Sequence, residues 1–104
     1  MDKVNEPQKQ ITSADGDIQI INYKIFTSMF GDMFAAGTVK NISSKSNLTA
    51  VVKADYYDAS GNYIDSEIDA IRRLEPGKTG AFEVVYSGQT RYRIKNLKLS
   101  VYSI

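Results

Sequence analysis

The chain has 104 residues, a formal net charge of +1, and neither cysteine nor histidine. This length fits one domain, and the near-zero charge argues against nucleic acid as a partner. Without cysteine there is no disulfide framework and no thiolate nucleophile. Without histidine the commonest general base and zinc ligand are missing. Since no apolar run reaches the ~18 residues of a membrane span, we expect membrane association only through an anchor outside this segment.

The N-terminal part predicts a flexible lead followed by one folded unit. Residues 1–9 are polar and contain a proline, which predicts an irregular lead. Residues 10–104 are predicted to form a single β-sandwich domain. Within it, Gln10–Thr12 predicts a short edge strand, and Asp15-Gly16 is a turn signal before the first long strand.

The first long strand, Ile18–Thr27, changes its apolar face partway along. Ile18 and Ile20 share one face, whereas Ile21 begins an apolar series on the other. This change predicts either a β-bulge or a strand that is buried on both faces. After a turn, Met33–Asn41 predicts the returning strand. The residues on one face of that strand are Ala35, Gly37 and Val39.

The stretch Leu48–Asp58 predicts the central strand of the fold. Val52, Ala54 and Tyr56 alternate with more polar residues, so we expect these three side chains to be sealed in the core. The strand runs into the sequence DASGN at residues 58–62. There the aspartate can bond its own downstream backbone and the glycine accepts positive φ, which predicts a tight turn.

The next strand, Tyr63–Ile71, predicts one apolar and one wet face. The residues of apolar parity are Ile64, Ser66, Ile68 and Ala70, and the acids of the wet face are Asp65, Glu67 and Asp69. Pro76-Gly77 then suits the centre of a type II turn. Thr79–Ser87 predicts a strand with alternate residues inward, namely Phe82, Val84 and Tyr86. The last strand region, Arg91–Ile104, changes parity near Lys95, which predicts a kink or bulge.

About seven short strands separated by turn signals predict an all-β, immunoglobulin- or fibronectin-III-like sandwich of antiparallel strands. A small closed barrel is the alternative architecture. No long segment shows the 3.6-residue apolar period of a helix.

A set of short motifs carries a family resemblance. The motifs are Gly37-Thr38-Val39-Lys40-Asn41, Val51–Asp58, Gly61-Asn62, Leu74-Glu75-Pro76-Gly77 and Phe82. In this order the sequence resembles the FxLYD domain family, small immunoglobulin-like modules of bacteria and archaea. In the name-giving motif Tyr57 and Asp58 match, whereas Ala54 replaces the Phe and Tyr56 replaces the Leu. The resemblance implies a β-sandwich that is often carried outside the cell on lipoproteins or membrane-anchored chains, and it implies no activity.

The predicted hairpin after the first long strand is unusually apolar. It carries Met29, Phe30, Met33 and Phe34, although hairpin turns are normally polar. Adaptable methionine beside aromatic rings suits a protein-contact surface. The other interpretation is that these side chains fold back and cover one end of the sandwich, because a contiguous exposed apolar patch is unusual on a monomer.

Two groups of charged residues are candidates for further sites. Four acids, Asp58, Asp65, Glu67 and Asp69, form the candidate for a hard cation such as calcium, with a solvated strand face and a turn cap as the simpler interpretation. The basic residues of the last strand region are Arg91, Arg93, Lys95 and Lys98. They suit an edge strand guarded against aggregation better than a nucleic-acid site.

No arrangement of residues in the sequence predicts catalysis, since a nucleophile needs an adjacent base and an orienting group. The sequence therefore favours a non-enzymatic immunoglobulin-like interaction or spacer module of an extracytoplasmic (lipo)protein, without a cofactor. If the protein binds a protein partner, we expect the contact at the apolar hairpin. A cation-stabilised ligand-binding domain is the alternative, and an extracellular or cell-envelope location is expected, with a cytoplasmic one left open.

Overall fold

The computed structural model describes residues 10–27, 33–86 and 93–104. These residues contain seven β-strands and no α-helix. The strands are β1 (Ile11–Thr12), β2 (Ile18–Thr27), β3 (Met33–Asn41), β4 (Leu48–Tyr57), β5 (Tyr63–Leu74), β6 (Thr79–Val85) and β7 (Asn96–Ser103). The predicted flexible lead, residues 1–9, lies outside the described residues.

The strands form two antiparallel sheets, one of four strands in the order β1-β2-β3-β6 and one of three in the order β5-β4-β7. The chain crosses from one sheet to the other between β3 and β4, between β5 and β6, and between β6 and β7. The predicted all-β sandwich is therefore confirmed at the level of two packed antiparallel sheets, and the closed barrel is not the arrangement found.

The core lies between the sheets and follows the predicted alternation of the central strand. Val52, Ala54 and Tyr56 of β4 are completely buried, and so are Ala35 and Val39 of β3 in the facing sheet. The alternation of β6 is also confirmed. The remaining buried apolar side chains between the sheets include Ile18, Ile20, Phe82, Val84, Leu97, Leu99 and Val101.

The bulge predicted in β2 is present, and a glycine accommodates it. The pairing of β2 with β3 shifts between Ile20 and Asn22, which leaves Ile21 as the additional residue. Beyond the shift, β2 approaches β3 so closely that a Cβ on Gly37 would lie 2.2 Å from the carbonyl oxygen of Asn22. Only glycine fits at this inward position, because the obstacle is backbone.

The predicted faces of β5 are wrong beyond Ile64, which packs against the core as expected. Ile68 is 58% exposed, whereas Asp65, Glu67 and Asp69 pair with the inward residues of β4 and so lie on the core side of the sheet edge. The reason is a register shift at the start of the strand, where Tyr57 pairs with Tyr63 and Tyr56 pairs with Asp65. Simple alternation along the sequence cannot reveal such a shift.

The predicted turns after β4 and after β5 are confirmed by their backbone geometry, whereas the turn predicted between β2 and β3 lies outside the described residues. Asp58 accepts hydrogen bonds of 2.9 Å from the backbone N–H groups of Ser60 and Asn62, and Gly61 has a φ of 86°. In the next turn Gly77 has a φ of 78°, and the N–H of Lys78 donates to the carbonyl of Glu75, as a type II turn requires.

Asn41, at the end of β3, is a completely buried amide that holds one end of the sandwich together. Its Nδ2 donates to the carbonyls of Lys45 and Leu74 at 2.8 and 2.9 Å. Its Oδ1 accepts from the backbone N–H and the hydroxyl of Ser43 at 2.9 and 2.7 Å. The amide therefore uses all of its donors and acceptors, and it joins the four-stranded sheet to the end of β5.

Replacing Asn41 with alanine should lower the free energy of unfolding by about 3 kcal/mol or more, because several buried backbone groups lose their partners at once. Urea denaturation measures this loss. Asn22→Ala is the matched control, since Asn22 is exposed on the outer face of β2, and it should change stability by no more than about 0.5 kcal/mol. Equal effects of the two variants would contradict the role assigned to Asn41.

Asp15 links the β1–β2 turn to β7 through hydrogen bonds. Its carboxylate accepts from the Ser13 hydroxyl at 2.5 Å, from the backbone N–H of Asp17 at 2.9 Å, and from the Ser103 hydroxyl at 2.8 Å. These bonds lower the pKa of Asp15 from 3.8 to about 2, and the bond from Ser13 has the largest effect. The bonds favour the charged carboxylate, so they stabilise the fold only while Asp15 is ionised.

This lowered pKa predicts a pH dependence of stability. The contribution of Asp15 should be fully present above about pH 4 and should be lost as the pH falls towards 2, because the unfolded chain takes up the proton first. We expect the difference in melting temperature between the wild type and Asp15→Asn to shrink across this window. Ser103→Ala, which removes one donor, should move the loss to higher pH. Parallel pH profiles of wild type and Asp15→Asn would contradict this account.

Candidate functional site

Three apolar side chains form a row across the outer face of the four-stranded sheet. Phe26 of β2 pairs with Phe34 of β3, and Phe34 pairs with Val85 of β6. Their neighbours Ala35 and Val84 are buried, so the row itself points away from the core. We call Phe26, Phe34 and Val85 the outer row.

Two members of the outer row are exposed, and its two aromatic rings are stacked on each other. Phe26 is 40% and Val85 45% exposed, and the rings of Phe26 and Phe34 are stacked with centroids 4.9 Å apart. Three neighbouring strands spaced by about 4.8 Å place these groups within about 10 Å. Such a contiguous apolar group differs from the single exposed hydrophobic residues that every protein surface carries.

A second row on the same face carries two opposite charges. Lys24 of β2, Ala36 of β3 and Glu83 of β6 pair in register, two residues along each strand from the outer row. Lys24 and Glu83 are exposed, and Ala36 separates them. We call these three residues the charged row; it lies about 7 Å from the outer row.

The outer face of the other sheet mixes polar side chains with exposed apolar ones, namely Tyr63, Ile68 and Tyr102. Asp55 accepts a hydrogen bond of 2.5 Å from Ser66, whose hydroxyl also lies 2.6 Å from the Tyr63 hydroxyl. The ammonium of Lys53 lies 3.7 Å from the Asp55 carboxylate. Ile68, across from Lys53, is a large aliphatic side chain exposed on this face.

The structure places the two described residues of the predicted hairpin site on different faces of β3. Phe34 lies in the outer row, whereas Met33 packs against the core from the end of β3. Met29 and Phe30 lie outside the described residues. Sequence reasoning missed Phe26 and Val85. The parity change after Ile21 already turns Phe26 outward, but only the strand register shows that Val85 lies beside Phe34.

The four acids of the candidate cation site do not form one cluster. Asp65, Glu67 and Asp69 are spaced along one strand, and the Asp69 carboxylate accepts a hydrogen bond of 2.9 Å from the backbone N–H of Glu83. Asp58 is engaged in its own turn, where the backbone N–H of Asn62 is the main cause that lowers its pKa. Within the described residues no group of three or more acids could hold a metal ion.

The basic residues of the last strand region do not form one described site. Arg93 lies 3.6 Å from the Asp58 carboxylate, and Lys98 lies on the exposed face of β7. Lys95 is exposed, and its backbone N–H donates to the carbonyl of Tyr57. Arg91 lies outside the described residues. β7 begins at Asn96, next to the predicted kink.

Tyr56 is a buried titratable group of the core. Burial is the main cause that raises the pKa of Tyr56 to about 12. The negative charge of Glu67 and the neighbouring Tyr86 have smaller effects in the same direction. Its ring lies 5.1 Å from that of Tyr86, and its hydroxyl finds no hydrogen-bond partner in the described part of the chain. A phenol that keeps its proton at neutral pH and is sealed from solvent is unsuited to acid–base catalysis.

These features define the class of the protein as a two-sheet antiparallel β-sandwich with an apolar surface row. No protein-family model matches the chain. The sequence is similar to the uncharacterised protein MJ0360 of Methanocaldococcus jannaschii, with 28% identity over 68 residues. Those residues are 65% of this chain and 50% of MJ0360, so the chain spans about half the length of that relative.

The fold is similar to the crystal structure of Campylobacter jejuni cj0090. The TM-score is 0.55 at 14% identity, and the match covers 79% of this chain and 82% of that chain. At this identity the likeness shows the fold alone. Among the described residues, no helix is long and apolar enough to cross a membrane.

The exposure of the outer row predicts how its replacement affects folding. Phe26→Thr should lower the free energy of unfolding by only about 1 kcal/mol, mainly through loss of the ring stack, because threonine keeps the β preference. Phe82→Ala, in the buried core, should cost about 3–5 kcal/mol. Urea denaturation of both variants tests this difference. A loss at Phe26 as large as that at Phe82 would show that Phe26 is a core residue.

Proposed function

We propose that this chain is a non-enzymatic, immunoglobulin-like interaction module of an extracytoplasmic protein and that the outer row is its contact surface. The observation that carries the proposal is the alignment of Phe26, Phe34 and Val85 on the outer face of one sheet. Aromatic rings that are already stacked bury apolar area with little loss of side-chain freedom, which favours them at protein interfaces.

The strand order supports the immunoglobulin-like part of the proposal. In immunoglobulin domains strand B pairs with E in one sheet, and C pairs with F in the other. The pairs β3·β6 and β4·β7 have this relation. In that scheme β2 takes the place of strand A, and β5 takes the place of C′. β1 is then an additional short strand beside A.

The family resemblance supports the extracytoplasmic part. Two motifs of the FxLYD pattern, residues 37–41 and 74–77, meet in the structure through the hydrogen bond from Asn41 to the Leu74 carbonyl and the bond from the Gly77 N–H to the Asn41 carbonyl. A third motif residue, Asp58, closes the turn after β4. The motif residues thus have structural roles. This agrees with the resemblance to the FxLYD family, which implies a structural module and no activity.

The chemistry of the chain supports a non-enzymatic function. It has no histidine and no cysteine, which leaves carboxylates, lysine, serine and tyrosine as possible acid–base groups. The described acids Asp15, Asp58 and Asp69 are each hydrogen-bonded to backbone N–H groups that belong to turns or a strand edge. These bonds give the acids a structural role.

Site-specific photo-crosslinking tests the proposed contact surface. A photoreactive phenylalanine analogue at position 26 of the full-length protein, expressed in its natural host, should give a discrete cross-linked product. The matched control is the same analogue at position 68, because Ile68 is more exposed than Phe26 but lies on the outer face of the other sheet. Absence of a product at position 26, or identical products at both positions, would contradict the proposal.

A further inference from the structure

The charges beside the outer row form a self-complementary pattern. In the charged row, Lys24 and Glu83 lie on opposite sides of β3. No ion pair joins either of them to another described residue. A surface with a positive group on one side and a negative group at the mirrored position on the other side matches a second copy of itself across a two-fold axis.

The geometry of that axis follows from the register. If two copies pack face to face about a two-fold axis that runs along β3, Lys24 of one copy lies opposite Glu83 of the other, and this pair occurs twice. The same rotation places Phe34 opposite Phe34 and Phe26 opposite Val85 of the other copy. One operation therefore covers the apolar groups of both outer rows and pairs the charges of both charged rows.

From this match we infer that the partner of the outer row is a second copy of this chain, bound as a symmetric face-to-face dimer; the inference rests on the proposed function of the outer row as a contact surface. The two rows measure about 15 by 14 Å, or roughly 200 Å², against about 800 Å² per partner in a standard interface. The dimer is accordingly weak and depends on concentration.

Lys40, farther along β3 on the same face, limits the extent of the contact. A two-fold axis along β3 would bring the two Lys40 side chains towards each other. Packed sheets, however, cross at about 30°, so the axis passes through the Phe34 pair and bisects the angle between the two β3 strands. Six residues from Phe34 the strands are then displaced sideways by about 10 Å, whereas at the charged row, two residues away, the displacement is only about 3 Å. The contact is thereby confined to the end that carries the outer row, and Lys40 remains in water.

Charge reversal with mixing is the decisive experiment. Sedimentation velocity from micromolar to millimolar concentration should show a monomer–dimer equilibrium for the wild type. Lys24→Glu alone and Glu83→Lys alone should each weaken the dimer about tenfold or more, because like charges then face each other twice.

An equimolar mixture of the two single variants should recover dimers. In the mixed dimer, the glutamate introduced at position 24 of one copy faces the lysine introduced at position 83 of the other, and the second pair consists of the unchanged Glu83 and Lys24. Opposite charges therefore meet in both pairs. The double variant, which carries both reversals in one chain, should also dimerise.

The possible outcomes separate this inference from the proposed function. Monomers at all concentrations, or a failure of the mixture to recover dimers, would overturn the symmetric dimer. If position 26 then still cross-links to a protein of another mass, the contact-surface proposal stands with a different partner. Circular dichroism and melting curves of each variant establish that it is folded, and Lys98→Glu, on the exposed face of β7, should leave dimerisation unchanged.

Discussion

The buried amide of Asn41 is the interaction on which one end of this sandwich depends. A two-sheet fold needs its loops to satisfy backbone groups where strands leave the sheets, because unpaired buried N–H and C=O groups are costly. Asn41 serves the β3–β4 loop through Lys45 and Ser43, and it serves the end of β5 through Leu74. Its own backbone pairs with the β5–β6 turn. One side chain thus sets the relative position of segments more than 30 residues apart.

The opposite end of β2 and β3 has a different character. Near Asn41 the polar groups of the loops are hydrogen-bonded to each other. Near Phe26 and Phe34 the surface is apolar, and the stacked rings retain exposed area. Burial of this apolar surface by a partner would be favourable, which is the basis of the proposed contact at the end far from Asn41.

Much of the fold could be predicted because alternation is a strong signal in a central strand. Val52, Ala54 and Tyr56 are inward because β4 has neighbours on both sides and one face in the core. The prediction is wrong for β5, an edge strand with register shifts, where Asp69 faces inward to bond a backbone N–H of β6. The outer row could be predicted only in part. Phe34 stands out in the sequence, but its neighbour Val85 is 51 positions away, and only the strand order brings the two together.

The inward acid of β5 also bears on how this protein can associate. An edge strand with free N–H groups invites pairing with another chain. The backbone N–H of Glu83 in β6 donates to the Asp69 carboxylate of the facing sheet. An incoming strand would therefore have to displace a charge-assisted hydrogen bond. The bulge at Arg73, where φ is 57°, interrupts the edge of β5 beside it. The addition of a strand is therefore disfavoured at this point of the two edges, which agrees with the proposed contact through the face of the sheet.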